Sequence, residues 1–222
     1  MARPWHTIES VDTDEGVLEL RKRGDKDYLI TIAGRVLMNS TANRSEILLS
    51  ELACNSLNNK DNPRVLIGGL GMGYTLRSAL DNLPDDSRVV VAELNPVVVE
   101  WCRGPIAHLT KASVNDSRVT VEIGDVAAII RKADNEFDAI ILDLYEGPFE
   151  AAKERRGHLY GADALRRCCS ALASGGVFAV WSEDPDKAFE KRLVQAGFAF
   201  QRHRPRRGNR HIVYIAKKAK YK

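Results

Sequence analysis

The chain has 222 residues, 44% hydrophobic and 28% charged, with a formal net charge of +3. This suits one α/β domain with a small appendage, and the balance is that of an ordinary water-facing protein. No apolar run approaches the ~20 residues of a bilayer span, and the start, MARPWHTIES, lacks the apolar core of a signal peptide. No membrane partner and a cytoplasmic location are therefore expected.

Residues 17–38 read as a β-rich opening. VLELRKR alternates, GDKD signals a turn, and YLITIAG and RVLMNS follow as strands. Such an antiparallel β-hairpin module, assigned to residues 1–42, needs something to pack on. It either covers a ligand site or forms a subunit contact. Asn43-x-x-Glu46 reads as a capping box. Leu48, Leu49, Leu52, Ala53 and Leu57 then give an apolar stripe at helical spacing, and NNKDNP ends that helix.

From there the pattern alternates. Strands are expected over 64–67, 88–92, 118–123, 137–142 and 176–181, with helices over 74–82, 96–103, 126–133, 162–173 and 186–196. Residues 198–203 and 211–216 form a closing antiparallel pair around PRRGN. The alternation implies a parallel sheet with right-handed crossovers and helices on both faces. Ligands then bind outside the carboxyl ends of the strands.

Within that frame, RVLIGGLGMG (64–73) is a buried strand running into Gly68, Gly69, Gly71 and Gly73, ahead of a helix. Strand, glycine turn, helix opens a nucleotide-binding βαβ unit. Glycines let backbone amides approach a ligand, and the helix start offers free N–H groups. The spacing Gly69-x-Gly71-x-Gly73 is neither the dinucleotide fingerprint nor the Walker pattern. It is similar to the first motif of S-adenosylmethionine-dependent enzymes. Gly69, Gly71 and Gly73 are thus candidates for binding the adenosyl group.

Acids stand at or just beyond three strand ends: Glu93, Asp125 and Asp143. Glu93, about twenty residues past the last glycine, can accept both ribose hydroxyl protons. Asp125 either hydrogen-bonds an adenine amino group or caps the next helix, or does both. Asp143 opens DLYEGP after an almost wholly apolar strand, with Glu146 three residues on. Two carboxylates at a site's mouth can bind a cationic amine and remove its proton. Tyr145 beside them either stacks on the ligand or packs on the loop.

These segments together resemble the spermidine and spermine synthases, the polyamine aminopropyltransferases. The likeness runs over roughly residues 30–200 through NPRVLIGGLGMG, VVVAELNP, RVTVEIGD, FDAIILDLYEGP and HLYGADALRRCCSALASGGVFAV. It implies a seven-stranded, methyltransferase-like Rossmann domain, over residues 43–216, behind the small β module. It implies aminopropyl transfer from decarboxylated S-adenosylmethionine to an amine in polyamine biosynthesis. It places Glu93 on the ribose, Asp125 on the adenine, Asp143 as the base, and Glu146 as a second acid holding the polyamine. It also implies a homodimer or larger assembly.

The chain departs from that family at several points. The family usually reads G-G-G-D-G-G, and its aspartate, here Gly71, binds the donor's amino end. An intact S-adenosylmethionine tail becomes easier to accommodate. The family's Tyr-His-Glu is Arg44-Ser45-Glu46 here, so only the acid, a substrate-binding candidate, remains. An arginine in a polyamine pocket would repel a polycation but would suit a carboxylate. The Asp143 loop and the amino-terminal module are shorter than usual. Two alternatives follow: an S-adenosylmethionine-dependent methyltransferase on an unknown acceptor, and a non-catalytic relative that binds a nucleoside or nucleic acid.

Residues 201–222 hold nine Lys/Arg and no acid, and the remaining 24 basic and 30 acidic residues leave the rest at −6. This basic end, with a tail over 217–222, would suit nucleic acid. A solvated turn and frayed tail is the favoured reading. Cys54, Cys102, Cys168 and Cys169 form no C-x-x-C pair, so no metal is expected and a reducing compartment fits. His158 and Tyr160 fall in a loop suited to a lid; Trp5, Trp101 and Trp181 show no common pattern.

Overall fold

The computed structural model describes residues 3–148, 159–205 and 211–218. Two sheets organise them. The first is four-stranded and antiparallel, in the order β1 (His6–Thr13), β2 (Gly16–Arg23), β3 (Asp27–Ile32), β4 (Arg35–Asn39). The hairpin module is thus a fuller sheet than its sequence pattern suggests. Strand β1 was not legible because it is an edge strand, exposed along most of its length, and carries no apolar alternation. Leu18, Leu20, Ile30 and Ile32 are buried on the inner face. A bulge separates the pairs Ile30–Met38 and Thr31–Val36. It re-aims the end of β4.

The second sheet has seven strands, ordered β10-β11-β9-β8-β5-β6-β7. Strands β5 (Arg64–Gly68), β6 (Arg88–Glu93), β7 (Val119–Ile123), β8 (Phe137–Leu142) and β9 (Leu172–Ser182) run parallel. Strands β10 (Phe198–His203) and β11 (Ile212–Lys218) close it antiparallel. The PRRGN turn between them falls largely outside the described residues. Strand β8 is buried at every position, as a run that is apolar save Asp138 suits a strand covered on both faces. Strand order reverses between β5 and β8, so their carboxyl ends flank the crevice where such sheets bind ligands.

Among the described residues, six α-helices cover the sheet: α1 (Arg44–Cys54), α2 (Tyr74–Asn82), α3 (Pro96–Arg103), α4 (Val126–Lys132), α5 (Ala162–Ala171) and α6 (Lys187–Gln195). Alternation along β5 sorts the core. Val65 and Ile67 pack with Leu49, Leu76 and Trp101, while Leu66 faces Ile130, Leu165 and Phe189. The four-stranded sheet joins the first of these cores through Leu18, Leu20 and Ile30. Helix α5 ends two residues sooner than expected and leads directly into β9, which begins at Leu172.

The capping box at Asn43 does not form. Asn43 makes no side-chain cap bond to α1, and the Glu46 carboxylate instead accepts from Ser45 Oγ at 2.7 Å. No described helix is long and apolar enough to cross a membrane. All four cysteines are buried free thiols, and burial pushes those of Cys54, Cys102 and Cys168 up to about 12. Lys217 and Lys218, read as the start of the tail, lie in β11. The Lys218 ammonium donates to the Leu172 carbonyl at 2.7 Å.

Candidate active site

A cavity of about 560 Å³ opens at the carboxyl edge of the parallel strands, with the four-stranded sheet as its other wall. Leu18, Ile30, Ile32, Val36, Leu37 and Met38 supply that apolar wall. The β module therefore walls the cavity.

The turn after β5 forms the floor. Gly69 has φ +88°, and a Cβ there would lie 2.4 Å from the Asp143 carbonyl oxygen. Only glycine lets the turn pass so close to the strand beside it. Gly71, φ +53°, also lines the cavity. Gly73 does not: it is the N-cap of α2, beside Thr110 and Ser113. Glu93, at the end of β6 and buried, lines the cavity. Its Oε2 accepts from Leu70 N at 2.8 Å and its Oε1 from Asn95 N at 2.9 Å. Burial pushes its pKa up, against the pull of backbone amides from residues 70, 71, 94 and 95. Glu93 thus holds the glycine turn in shape from a buried position at the cavity wall.

Asp125 takes one of the two roles that its position left open, the helix cap. Its Oδ1 accepts from Ala127 N at 2.8 Å and caps α4. The residue also lines the cavity.

Asp143 follows β8 and lines the same cavity. Its backbone N–H donates to the Gly68 carbonyl at 2.9 Å. Its Oδ2 accepts from Thr75 Oγ1 at 2.5 Å. Burial, and then the nearby Glu46 carboxylate, raise its pKa to about 7, against the Thr75 hydrogen bond. A carboxylate in that range is suited to accept a proton near neutral pH. Glu46 also lines the cavity, so the acid that survives from the Tyr-His-Glu position sits beside Asp143. Arg44 does not: it is exposed and not part of the lining. The arginine expected to disturb a polycation pocket points away from it, because α1 turns Ser45 and Glu46 inward.

Glu146 and Tyr145 line the cavity beyond Asp143. Tyr160, read from sequence as part of a lid loop, lines the cavity, as do Trp181 and His211, which had no interpretable sequence signal. The Trp181 indole N–H donates to the Leu144 carbonyl at 2.6 Å. Its ring meets His211 at 5.2 Å between centroids. The buried Tyr160 hydroxyl donates to the Glu146 carbonyl at 3.1 Å. Burial, followed by the charges of Glu183 and Asp143, pushes its phenol pKa up. His158, suggested as part of a lid, lies outside the described residues.

Met38 was likewise missed. The bulge on β4 delivers its Sδ to the glycine turn, where it accepts from Met72 N at 3.0 Å. A Cβ at Gly71 would meet that sulfur at 2.8 Å. The space that an aspartate at 71 would need is therefore filled from the β module.

The charge balance is one-sided. Glu15, Glu46, Glu93, Asp125, Asp143 and Glu146 line the cavity, and no lysine or arginine is among the described lining residues. Such a site favours cationic ligands.

Comparison with known proteins gives a consistent result. A family model described as the spermine/spermidine synthase domain matches residues 46–196. A polyamine aminopropyltransferase of Clostridium tetani is 32% identical over 125 residues, 56% of this chain and 42% of its own length. A putrescine N-methyltransferase of Nicotiana tabacum is 36% identical over 124 residues, 55% of this chain and 33% of its own. The chain thus matches less than half the length of these curated relatives. The crystal structure of spermidine synthase from Thermotoga maritima superposes with a TM-score of 0.75 at 22% identity, covering 96% of this chain and 73% of that one. It has the same fold.

Proposed function

The chain belongs to the spermine/spermidine synthase family, and from that premise we propose that it transfers an aminopropyl group from decarboxylated S-adenosylmethionine to a cationic amine. The observation that carries this reading is the cavity lined by six carboxylates and, among its described lining residues, no lysine or arginine. A polyamine is recognised by such a surface. Among the described lining residues, the carboxylate of intact S-adenosylmethionine finds no lysine or arginine.

Each residue takes a role that its geometry supports. Glu93 accepts from the ribose hydroxyls and Asp125 from the adenine amino group. Gly69 and Gly71 let the backbone pass close beside the sulfonium end of the donor. Glu46, Tyr145 and Glu146 hold the acceptor amine. Asp143 takes the proton of the attacking nitrogen. A nitrogen–carbon bond forms, the carbon–sulfur bond breaks, its electron pair stays on sulfur, and methylthioadenosine leaves. Removing the proton matters because an ammonium has no lone pair for attack. The functional unit is read as a homodimer, which sedimentation equilibrium tests; a monomer alone would refute it.

A second reading is methyl transfer from intact S-adenosylmethionine. It is favoured by Met38 and Gly71, which leave no carboxylate at the place where an aspartate would meet the donor's amino end. The likeness to putrescine N-methyltransferases keeps an amine as acceptor on this reading too. The test is incubation with putrescine and each donor in turn, with products identified by mass spectrometry. Spermidine and methylthioadenosine support the first reading. N-methylputrescine and S-adenosylhomocysteine support the second, and consumption of neither donor refutes both.

A further inference from the structure

Thr75 is an unusual residue to find buried in the first turn of α2. It is 1% exposed, and its hydroxyl faces two acceptors from different elements. Asp143 Oδ2 lies 2.5 Å away, beyond β8. The Glu46 carbonyl oxygen lies 3.5 Å away on α1. A hydroxyl has one proton to give and lone pairs to receive with. With Asp143 ionised, the short contact takes the Thr75 proton. Asp143 Oδ1 is then the oxygen left for the cavity.

From this arrangement we infer that Thr75 is a positioning residue for Asp143, holding its carboxylate in one orientation through both protonation states. When the proton of the amine arrives on the cavity-facing Oδ1, Oδ2 becomes a carbonyl oxygen and goes on accepting from Thr75 Oγ1. The proton taken from an amine is accommodated without moving the side chain. One hydroxyl thus serves the base before and after the transfer. As a step in catalysis this rests on the reaction proposed above; as a property of Asp143 it does not.

The carboxylate that faces Asp143 from α1 pulls the opposite way. Glu46 on α1 opposes its ionisation. Tyr160, just ahead of α5, also feels its charge, together with those of Glu183 and Glu146. Among these, Thr75 is the neighbour that favours the ionised form. Removing its hydroxyl must therefore raise the pH at which Asp143 loses its proton.

The test compares Thr75→Val, which keeps the volume and deletes the hydroxyl, with Thr75→Ser, which keeps the hydroxyl. Side-chain carboxyl 13C NMR of the free protein reads the Asp143 midpoint directly. Thr75→Val is expected to move it upward by about 1–2 pH units, the size of a hydrogen bond to a charged group. Thr75→Ser is expected to hold it within about half a unit of wild type. The kcat of Thr75→Val with decarboxylated S-adenosylmethionine and putrescine should fall about tenfold near pH 7.5 and recover above pH 9, with the donor KM unchanged. An Asp143 midpoint that stays or falls in Thr75→Val, or rises equally in Thr75→Ser, overturns the inference. If wild type consumes no donor while the midpoints move as expected, the Thr75 assignment stands and the proposed reaction fails.

Discussion

Asp143→Asn separates what the carboxylate does for chemistry from what it costs the fold. In the folded chain its pKa is raised from 3.8 to about 7, by burial first and Glu46 second. The unfolded chain releases that proton near 3.8. The folded state therefore binds the proton more tightly, and its stability is highest at low pH and declines as pH rises from about 4 through 7. About three pH units correspond to roughly 4 kcal/mol as an upper bound, at about 1.4 kcal/mol per unit. Coupling to Glu46 makes the net figure smaller, about 2–3 kcal/mol. Asparagine keeps an acceptor for Thr75 and cannot ionise. The variant should thus be more stable than wild type by that amount at pH 8, with the difference shrinking toward zero near pH 4. Urea unfolding at the two pH values measures it. In parallel, turnover should fall about 10²–10⁴-fold, the usual loss on removing a general base, with donor binding by calorimetry nearly intact. Equal stability gains at both pH values would refute the linkage argument. Unchanged turnover would remove Asp143 from the chemistry.

Three other changes probe the donor side. Glu93→Gln turns one backbone donor, Leu70 N or Asn95 N, against an amide NH2. It should weaken nucleoside binding by about 1–3 kcal/mol in calorimetric titration; a loss under half that range would misplace the ribose. Gly69→Ala puts a Cβ 2.4 Å from the Asp143 carbonyl at a φ of +88°, and should destabilise the chain by more than about 2 kcal/mol in urea. A change within 0.5 kcal/mol, the ordinary surface value, would contradict the turn geometry. Gly71→Asp should be destabilising alone, because of Met38 Sδ, and partly rescued by Met38→Ala. Additive effects in that double-mutant cycle would mean that the two residues do not share the space.

Much of this protein was legible as local pattern. The order of strands and helices from β5 to β11 follows from apolar periodicity. So does the burial of β8, whose six residues are apolar save Asp138. The glycine turn, Glu93, Asp125 and Asp143 could be placed at one edge because a parallel sheet brings the ends of β5, β6, β7 and β8 together. Glu46 and Glu146 were readable through family resemblance and nearness to those strand ends. Edge strand β1 was not legible, since its exposed residues carry no alternation, and the Asn43 box misled because the Glu46 carboxylate accepts from Ser45 Oγ instead.

What only the tertiary structure decided are contacts between residues distant in the chain. Met38 reaches Met72 across 34 positions, Thr75 reaches Asp143 across 68, and Ser45 meets His211 across 166, at 3.4 Å. No local periodicity encodes such pairs. Each depends on a bulge, a helix rotation or a strand register that exists only once both sheets have packed. The amino-acid sequence by itself determined the Rossmann frame and the acids along its edge, because those follow from one-dimensional spacing. The fold decided which of those acids is held, by what, and which side chains fill the room between them, because close packing joins surfaces and not neighbours in sequence.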